Sequence, residues 1–219
     1  MDEKDFPVTE TPGRFVVLEG PDGGGKTTQA ARLVAWLDSL GREVVACREP
    51  GGTALGDRLR GLLLDRSGVT LGMRAEMLLF MASRAQLVEE VIRPALGRGA
   101  VVVGDRYLLS TVVYQGHAGG LDVDDLWRVG RAATGRLMPD LTVVVDVPPE
   151  VARVRIGAGR DRIEDRGEAY RARVRDGFVR EAATYPAPIV VVDGSAGMDA
   201  VADRIQMEVA HALAIPPRP

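Results

Sequence analysis

The chain has 219 residues, 46% hydrophobic and 27% charged, which suits one globular domain and excludes a disordered or fibrous protein. Its 28 basic and 31 acidic side chains give a net charge of −3, which excludes the strong positive field of a dedicated nucleic-acid binder. The apolar runs are far shorter than the roughly 20 residues of a membrane-spanning helix, so we expect no membrane segment.

Five short, valine-rich runs are typical of strands buried on both faces of a sheet: residues 15–19, 44–47, 100–104, 141–147 and 189–193. Between these runs, apolar residues recur with the spacing of a helix. The first such segment covers residues 30–40 and is closed by Gly41, and the others are 73–97 with an interruption at Pro94, 123–135 and 199–213. This alternation predicts an α/β fold with a mostly parallel five-stranded sheet flanked by helices. Ligands of such folds bind beyond the carboxyl ends of the strands.

The two ends of the chain, residues 1–13 and 214–219, are predicted to be tails around a single domain over 14–213. The N-terminal segment is acidic and polar, unlike a secretory signal, so we expect a cytoplasmic protein. The single cysteine, Cys47, cannot form an internal disulfide, which agrees with a reducing compartment.

A phosphate-binding pattern, GxxxxGK[ST], follows the first predicted strand and opens the first helix. Glycines let backbone N–H groups approach phosphate oxygens, Lys26 is expected to reach the β- and γ-phosphates, and the Thr27 hydroxyl to bind Mg²⁺. Lys26 is one of only two lysines in the chain. The predicted nucleotide-binding residues are Gly20, Pro21, Asp22, Gly23, Gly24, Gly25, Lys26, Thr27 and Thr28. If water accepts the phosphoryl group, the protein is an ATPase switch. If a second bound molecule accepts it, the protein is a kinase.

Charged side chains also follow the second and third predicted strands. Arg48 and Arg106 lie at the same sheet edge as the phosphate loop, so both can bind one acceptor phosphate through guanidinium forks. Asp105 ends an apolar run, where a carboxylate can lie near hydrated Mg²⁺, and Glu49 is placed for metal waters or a sugar hydroxyl. The alternatives are surface ion pairs for the arginines, a capping carboxylate for Asp105, and a turn that needs only backbone geometry around Glu49.

Six segments together resemble the thymidylate kinase family: residues 15–28 (FVVLEGPDGGGKTT), 48–53 (REPGGT), 80–86 (FMASRAQ), 104–116 (GDRYLLSTVVYQG), 139–147 (PDLTVVVDV) and 161–164 (DRIE). They occur in the order and spacing of that family, and the resemblance runs from about residue 14 to 213. It implies a P-loop NTPase-type fold, transfer of the γ-phosphate of ATP to dTMP with Mg²⁺ to give dTDP, and typically a homodimer.

The resemblance also implies a pocket for the acceptor. Phe80 would stack on thymine and Arg84 would donate to its O4, which disfavours cytosine because cytosine presents an amine there. Tyr114 would crowd a ribose 2′-OH. The alternative is that Phe80 belongs to the hydrophobic core and that Arg84 is a solvated charge. The substrate-binding residues so implied are Asp22, Arg48, Glu49, Phe80, Arg84, Arg106, Ser110, Thr111, Tyr114 and Gln115.

An arginine-rich segment spans residues 150–181, and its part GAGRDRIEDRG predicts a mobile lid over about 153–167. Some family members carry an arginine in the phosphate loop, where this chain has Gly23, and others supply it from the lid. Arg160 is therefore the predicted transition-state arginine and Arg155 the second choice, beside Lys26 and Arg106 as catalytic candidates. From Arg171 onward we expect a solvated helix with i,i+4 ion pairs. The alternative functions are a kinase for another nucleoside monophosphate and an ATPase switch.

Overall fold

A central parallel sheet organises the molecule, which a computed structural model describes over residues 12–65, 70–156, 162–163 and 165–215. The strands are β1 (Arg14–Glu19), β2 (Val44–Arg48), β3 (Val101–Asp105), β4 (Leu141–Asp146) and β5 (Ile189–Asp193). All pair in parallel in the order β2-β3-β1-β4-β5. The five predicted strands and the α/β fold are thus confirmed, and no strand boundary shifts by more than one residue.

Nine α-helices and two π-helical segments connect and flank these strands in the described part of the chain. The helices are α1 (Lys26–Ser39), α2 (Ala54–Leu64), α3 (Met73–Leu87), α4 (Arg93–Gly97), α5 (Leu108–Thr111), α6 (Val123–Ala133), α7 (Pro149–Ile156), α8 (Glu168–Ala182) and α9 (Met198–Ala212). The π-helical segments are Val88–Ile92, between α3 and α4, and Val112–His117, directly after α5. Pro94 stands in the first turn of α4, where a missing N–H costs little. Across the described ranges, no helix has the length and apolar character needed to cross a membrane.

The sheet separates two apolar layers, because alternate residues of a strand face opposite sides. Val16 and Leu18 of β1 pack with Leu33 and Leu37 of α1 and with the apolar stripe of α9. On the other side, Phe15 and Val17 pack with α3 and α6. A third cluster joins α8 to the π-helical segment Val112–His117. Since β1 is buried on both faces, its carboxyl end is held rigidly at the centre of the sheet.

Strand order places the loops that follow β1, β2 and β3 side by side. The chain builds β2 and β3 on one side of β1, and β4 and β5 on the other. In open parallel sheets a crevice for ligands forms at the carboxyl ends of the strands where the connections diverge. The phosphate pattern, Arg48 and Asp105 all lie at this edge.

Candidate active site

A cleft of about 790 Å³ opens at the carboxyl ends of the central strands. Most of the predicted site residues line it: Asp22, Gly23, Gly24, Gly25, Lys26, Thr27, Thr28, Arg48, Glu49, Phe80, Arg84, Asp105, Arg106, Ser110, Thr111, Tyr114, Gln115 and Arg155. Gly20 and Pro21 lie directly before this set, in the same loop. Arg160 falls outside the described residues. The residues predicted to bind the phosphoryl donor and those predicted to bind the phosphoryl acceptor therefore line one cavity.

The phosphate loop leaves the first turn of α1 free for an anion. Its N-cap, Gly25, has a left-handed backbone (φ 87°) and makes no side-chain cap, and the first turn contains no acidic residue. The N-terminal N–H groups of a helix in this state attract phosphate oxygens. Gly23 (φ 75°) packs so closely that a Cβ there would lie 2.5 Å from the Ala152 carbonyl oxygen. An arginine at Gly23 would therefore displace α7, which agrees with its absence from this loop.

Lys26 lies at the base of the loop with only 6% of its surface exposed. Its Nζ donates to the Pro21 carbonyl at 2.7 Å, which aims the ammonium along the loop. Burial, and next the neighbouring charge of Arg106, lower the pKa of Lys26 to about 8, although Asp22, Asp105 and Glu19 oppose the shift. The ammonium is thus poorly compensated, and added phosphate charge would stabilise it.

The two predicted metal ligands are in contact. The Thr27 hydroxyl donates to Asp105 Oδ2 at 2.6 Å, and both residues line the cleft. A hydroxyl and a carboxylate are the hard oxygen donors that Mg²⁺ takes together with waters and substrate phosphates. No cluster of three or more His, Cys, Asp or Glu side chains suited to a metal occurs among the described residues. The pair fits an ion shared with a nucleotide rather than a cage of protein ligands.

Arg106 connects the phosphate loop with α5, which carries two further residues of the cleft, Ser110 and Thr111. It has a left-handed backbone (φ 73°), which is costly for a side-chain-bearing residue and is held by its N–H bond to the Leu18 carbonyl at 2.9 Å. Its guanidinium donates to the Gly20 carbonyl at 3.2 Å and to Ser110 Oγ at 2.9 Å, and forms an ion pair with Asp22. One rigid cation thus links both halves of the cleft.

Asp22 and Tyr114 complete this link. The Tyr114 hydroxyl donates to Asp22 Oδ2 at 2.8 Å and accepts the Asp22 N–H at 3.1 Å. Burial alone would raise the pKa of Asp22, but the charges of Arg106 and Lys26 and the Tyr114 hydrogen bond bring it below its usual value. Asp22 therefore stays ionised and keeps the Arg106 guanidinium in place.

Glu19 is a site residue that the sequence reasoning missed. Its fully buried carboxylate accepts the N–H groups of Tyr107 (2.8 Å) and Ser110 (3.1 Å) and the Ser110 hydroxyl (2.5 Å). Burial raises its pKa, against the Ser110 hydrogen bond and the charge of Arg106. Glu19 thus fixes the loop after β3 that carries Arg106. The signal was present, because Glu19 ends an apolar run just as Asp105 does.

One wall of the cleft contains Arg84, which is 1% exposed. Its Nη2 donates to the Tyr107 carbonyl at 2.9 Å and to Thr111 Oγ1 at 3.1 Å, and pairs with Glu49 Oε2 at 2.6 Å. Its buried Nε has no partner among the described residues. The alternative of a solvated Arg84 is therefore wrong, and an orphaned donor in a cavity wall suits a ligand acceptor.

The Glu49 side chain pairs with Arg84, while the Glu49 backbone N–H donates to the Asp105 carbonyl at 3.0 Å. Glu49 is 5% exposed, and burial raises the pKa of its carboxyl to about 7, although the charge of Arg84 opposes this. Arg48, by contrast, is exposed and lines the cleft, and within the described ranges its side chain has no hydrogen bond or ion pair. The ion-pair alternative for Arg48 thus finds no support, and its guanidinium is available to an anion.

The far end of the cleft was not predicted. Gln29 and the loop after β5, from Gly194 to Met198, line it, and Gln29 Nε2 donates to the Met198 carbonyl at 3.0 Å. Arg155 Nη1 donates to the Gly194 carbonyl at 3.0 Å, so this lid arginine lies at that end. The sequence carried no strong signal, because glycine and small residues after a strand are common in any turn.

The arginines of α8 pack more tightly than expected. Arg175 forms a double ion pair with Asp146 at 2.8 Å for both bonds, and Arg173 Nε donates to the Ala118 carbonyl at 3.2 Å. These contacts reach other elements, so neither residue forms the predicted i,i+4 pair, although Arg173 is exposed as expected. The reason is that α8 packs on the segment Val112–His117.

The sequence was also compared with those of known proteins. The sequence profile described as Thymidylate kinase matches residues 18–205. A thymidylate kinase from Clavibacter sepedonicus is 47% identical over 205 residues, covering 92% of this chain and 96% of the relative. A thymidylate kinase from Leifsonia xyli subsp. xyli is 46% identical to this chain over 201 residues, covering 90% of this chain and 95% of the relative. One from Rhodopirellula baltica is 43% identical over 194 residues, covering 89% of this chain and 79% of the relative. This chain therefore belongs to the thymidylate kinase family.

Proposed function

We propose that this chain transfers the γ-phosphate of ATP to dTMP, giving ADP and dTDP. Family membership supports the reaction, and one observation ties it to these residues. The Arg106 guanidinium, held by Asp22 and Ser110, lies between the phosphate loop and the buried wall that holds Arg84. A single cleft thus offers cationic groups to two facing phosphates.

On the donor side, the N–H groups of the phosphate loop and Lys26 bind the β- and γ-phosphates. The Thr27 hydroxyl and the Asp105 carboxylate hold Mg²⁺ in this proposal, directly or through water. When bound, the ion would neutralise negative charge on the phosphates. At the far end of the cleft, Arg155 and the loop from Gly194 to Met198 are the proposed contacts of the ATP nucleoside.

On the acceptor side, the dTMP phosphate is the nucleophile. Its second pKa is about 6, as in phosphoamino acids, so it is largely dianionic near neutral pH and needs no general base. One of its oxygens bonds to the γ-phosphorus while the bond to the β–γ bridging oxygen breaks, and ADP leaves with that electron pair. Arg106 and Arg48 counter the repulsion between the two anions.

Recognition of the base uses the buried wall. Arg84 Nε, a buried donor with no partner among the described residues, suits a carbonyl oxygen such as O4 of thymine. Phe80 lines the same cleft and offers a ring for stacking. Tyr114 lines the same cleft, packed against Phe178 and Tyr170, and is the residue proposed to crowd a ribose 2′-OH.

The Arg106→Lys variant should lose about 10²-fold in kcat/KM for dTMP, with ATP affinity little changed. Lysine keeps the charge and the backbone, but it cannot form the guanidinium fork, and each charge-assisted hydrogen bond contributes about 1.5–3 kcal/mol. Steady-state kinetics with Arg128→Lys, an exposed arginine of α6, as the control measure this. Wild-type kcat/KM in the Arg106 variant would remove it from acceptor binding.

The affinity for ATP should weaken as the pH rises through about 8. The pKa of Lys26 is lowered to about 8, so the free protein loses this ammonium above that pH, and only the charged form attracts phosphates. Titrations of ATP binding from about pH 7 to about pH 9.5 measure the effect, with Lys26→Arg as a control that stays charged. An unchanged dissociation constant over this range in the unaltered protein would contradict the assignment.

The reaction itself is tested by ADP release with dTMP, dUMP, dCMP and AMP in turn. A dTMP kinase releases ADP fast only with dTMP, and omission of Mg²⁺ stops it. Equal stimulation by another monophosphate would favour a kinase of different specificity. Release that no monophosphate changes would favour the ATPase switch.

We also propose one kinase domain over residues 14–213, a lid at about 153–167 and a homodimer. The dimer is supported by exposed leucines on the packed helices α2 and α3, namely Leu55 (44% exposed), Leu62 (40%) and Leu78 (52%). Apolar side chains of this size on one pair of helices are typical of a face that a second copy covers. The molar mass in solution tests this.

A further inference from the structure

A buried carboxylate outside the described reaction lies directly behind the acceptor pocket. Glu76 of α3 is 0% exposed and does not line the cleft. Its Oε1 accepts the Gln115 Nε2 at 2.8 Å. Its Oε2 accepts Arg162 Nη2 at 2.5 Å and also pairs with Arg166. Glu76 thus connects a residue of the pocket wall with the segment of the predicted lid that carries both arginines.

Glu76 determines which way the Gln115 amide faces. A carboxylate has only acceptors, so the Gln115 atom next to it must be the NH₂ donor. The other amide atom, Oε1, is buried, has no partner in the described part of the chain, and belongs to a residue that lines the cleft. The pocket wall therefore offers an acceptor at Gln115 and, at Arg84 Nε, a donor.

These two atoms, which have no partner among the described residues, have the hydrogen-bonding character that one edge of thymine requires. Thymine presents an acceptor at O4 and, next to it, a donor at N3–H. Cytosine presents the reverse, an amine at C4 and an acceptor at N3. A buried donor or acceptor left without a partner costs about tenfold to a hundredfold in binding, so the orientation of one amide matters.

The same carboxylate ties this orientation to the lid segment. Arg162 and Arg166, with side chains 20% and 17% exposed, flank Ile163, which is 8% exposed and lines the cleft. Arg166 also donates to the Tyr170 hydroxyl at 2.8 Å, and Tyr170 donates to the Tyr114 carbonyl at 2.7 Å. The ion pairs of Arg162 and Arg166 with Glu76 therefore hold Ile163 in the pocket wall near the Gln115 amide.

We propose that Glu76 is a positioning residue for base selection. It holds the Gln115 amide with Oε1 toward the cleft and joins that orientation to the seating of Arg162 and Arg166. The inference rests on the proposed function, because it assumes a pyrimidine monophosphate in the acceptor pocket. Glu76 itself touches no substrate and acts through Gln115.

The Glu76→Gln variant tests the proposal by reversing the amide. The new NH₂ group meets Gln115 best if the Gln115 carbonyl turns toward it, which leaves the Gln115 NH₂ facing the cleft. Calorimetry with dTMP and dCMP should then show the preference for dTMP falling by about tenfold or more. The double variant E76Q/Q115E restores an acceptor facing the cleft, so the preference should return toward that of the unaltered protein. Glu89→Gln, an exposed glutamate on the same helical run, is the matched control.

A purely structural role would have a different signature. In that case E76Q would weaken dTMP and dCMP binding by the same factor, so the ratio of the two affinities would stay unchanged. An unchanged ratio, or a lowered ratio that the double variant does not restore, would overturn the proposal. If E76Q is not recovered folded, Glu76→Asp keeps the charge but withdraws it from Gln115, and an unchanged ratio there would count equally against it. Formation of dTDP by the unaltered protein separately decides the proposed function.

Discussion

The Lys26→Ala variant loses kcat by about 10²-fold to 10³-fold or more, because removal of one preorganised charge-stabilising group has this effect in other enzymes. Lys26 is buried, its Nζ is aimed by the Pro21 carbonyl, and its charge is poorly compensated in the free protein. Loss of the ammonium therefore removes stabilisation that is realised only with phosphate in the cleft. Turnover of dTMP under saturating ATP measures the effect.

The control for this experiment is Lys4→Ala, which removes the only other lysine of the chain. It should leave kcat unchanged. The thermal midpoint of Lys26→Ala should stay close to that of the unaltered protein, because a desolvated ammonium contributes little to folding. Full activity in the Lys26 variant would overturn the assignment of the phosphate loop.

The Arg160→Ala variant loses about 10³-fold to 10⁵-fold in kcat while its dTMP affinity hardly changes, as expected for an arginine that stabilises the transferring phosphoryl group. This prediction comes from the sequence, since Arg160 lies outside the described residues. The structure bears on the second choice. Arg155 donates to the Gly194 carbonyl at the far end of the cleft, so Arg155→Ala should raise KM for ATP and leave most of kcat.

The comparison of these two variants assigns the lid arginine. Arg153→Ala, an exposed position on the same helix as Arg155, serves as the control and should behave as the unaltered protein. A large loss of kcat in Arg155→Ala, with little loss in Arg160→Ala, would reverse the assignment. Dissociation constants for dTMP, measured alongside, separate an effect on binding from one on chemistry.

The parts of the fold that the sequence predicts are those encoded locally. A valine-rich run followed by GPDGGGKTT specifies a buried strand, a loop and a helix within one stretch, and all three form as expected. The order of the strands could not be predicted from such local patterns, because it depends on which distant segments pair. The π-helical segment Val112–His117 also escaped prediction, since a single wider turn leaves apolar spacing almost unchanged.

The site shows the same division. Lys26, Thr27, Asp105 and Arg106 follow strands or complete a motif, and the structure brings them together. The partners that hold them are not local. Glu19 binds the Tyr107 N–H across 88 residues, and Glu76 binds Arg166 across 90. A lone acid in an apolar stretch does not reveal its partner, so such positioning residues emerge only from the folded chain.

The central claim is that one cleft brings the terminal phosphate of ATP to the phosphate of dTMP. Incubation with ATP labelled at the γ-phosphate, with dTMP and Mg²⁺ present, tests it most directly. The account predicts that the label appears in dTDP in an amount equal to the ADP formed. Label found only in inorganic phosphate, with no labelled dTDP, would contradict it.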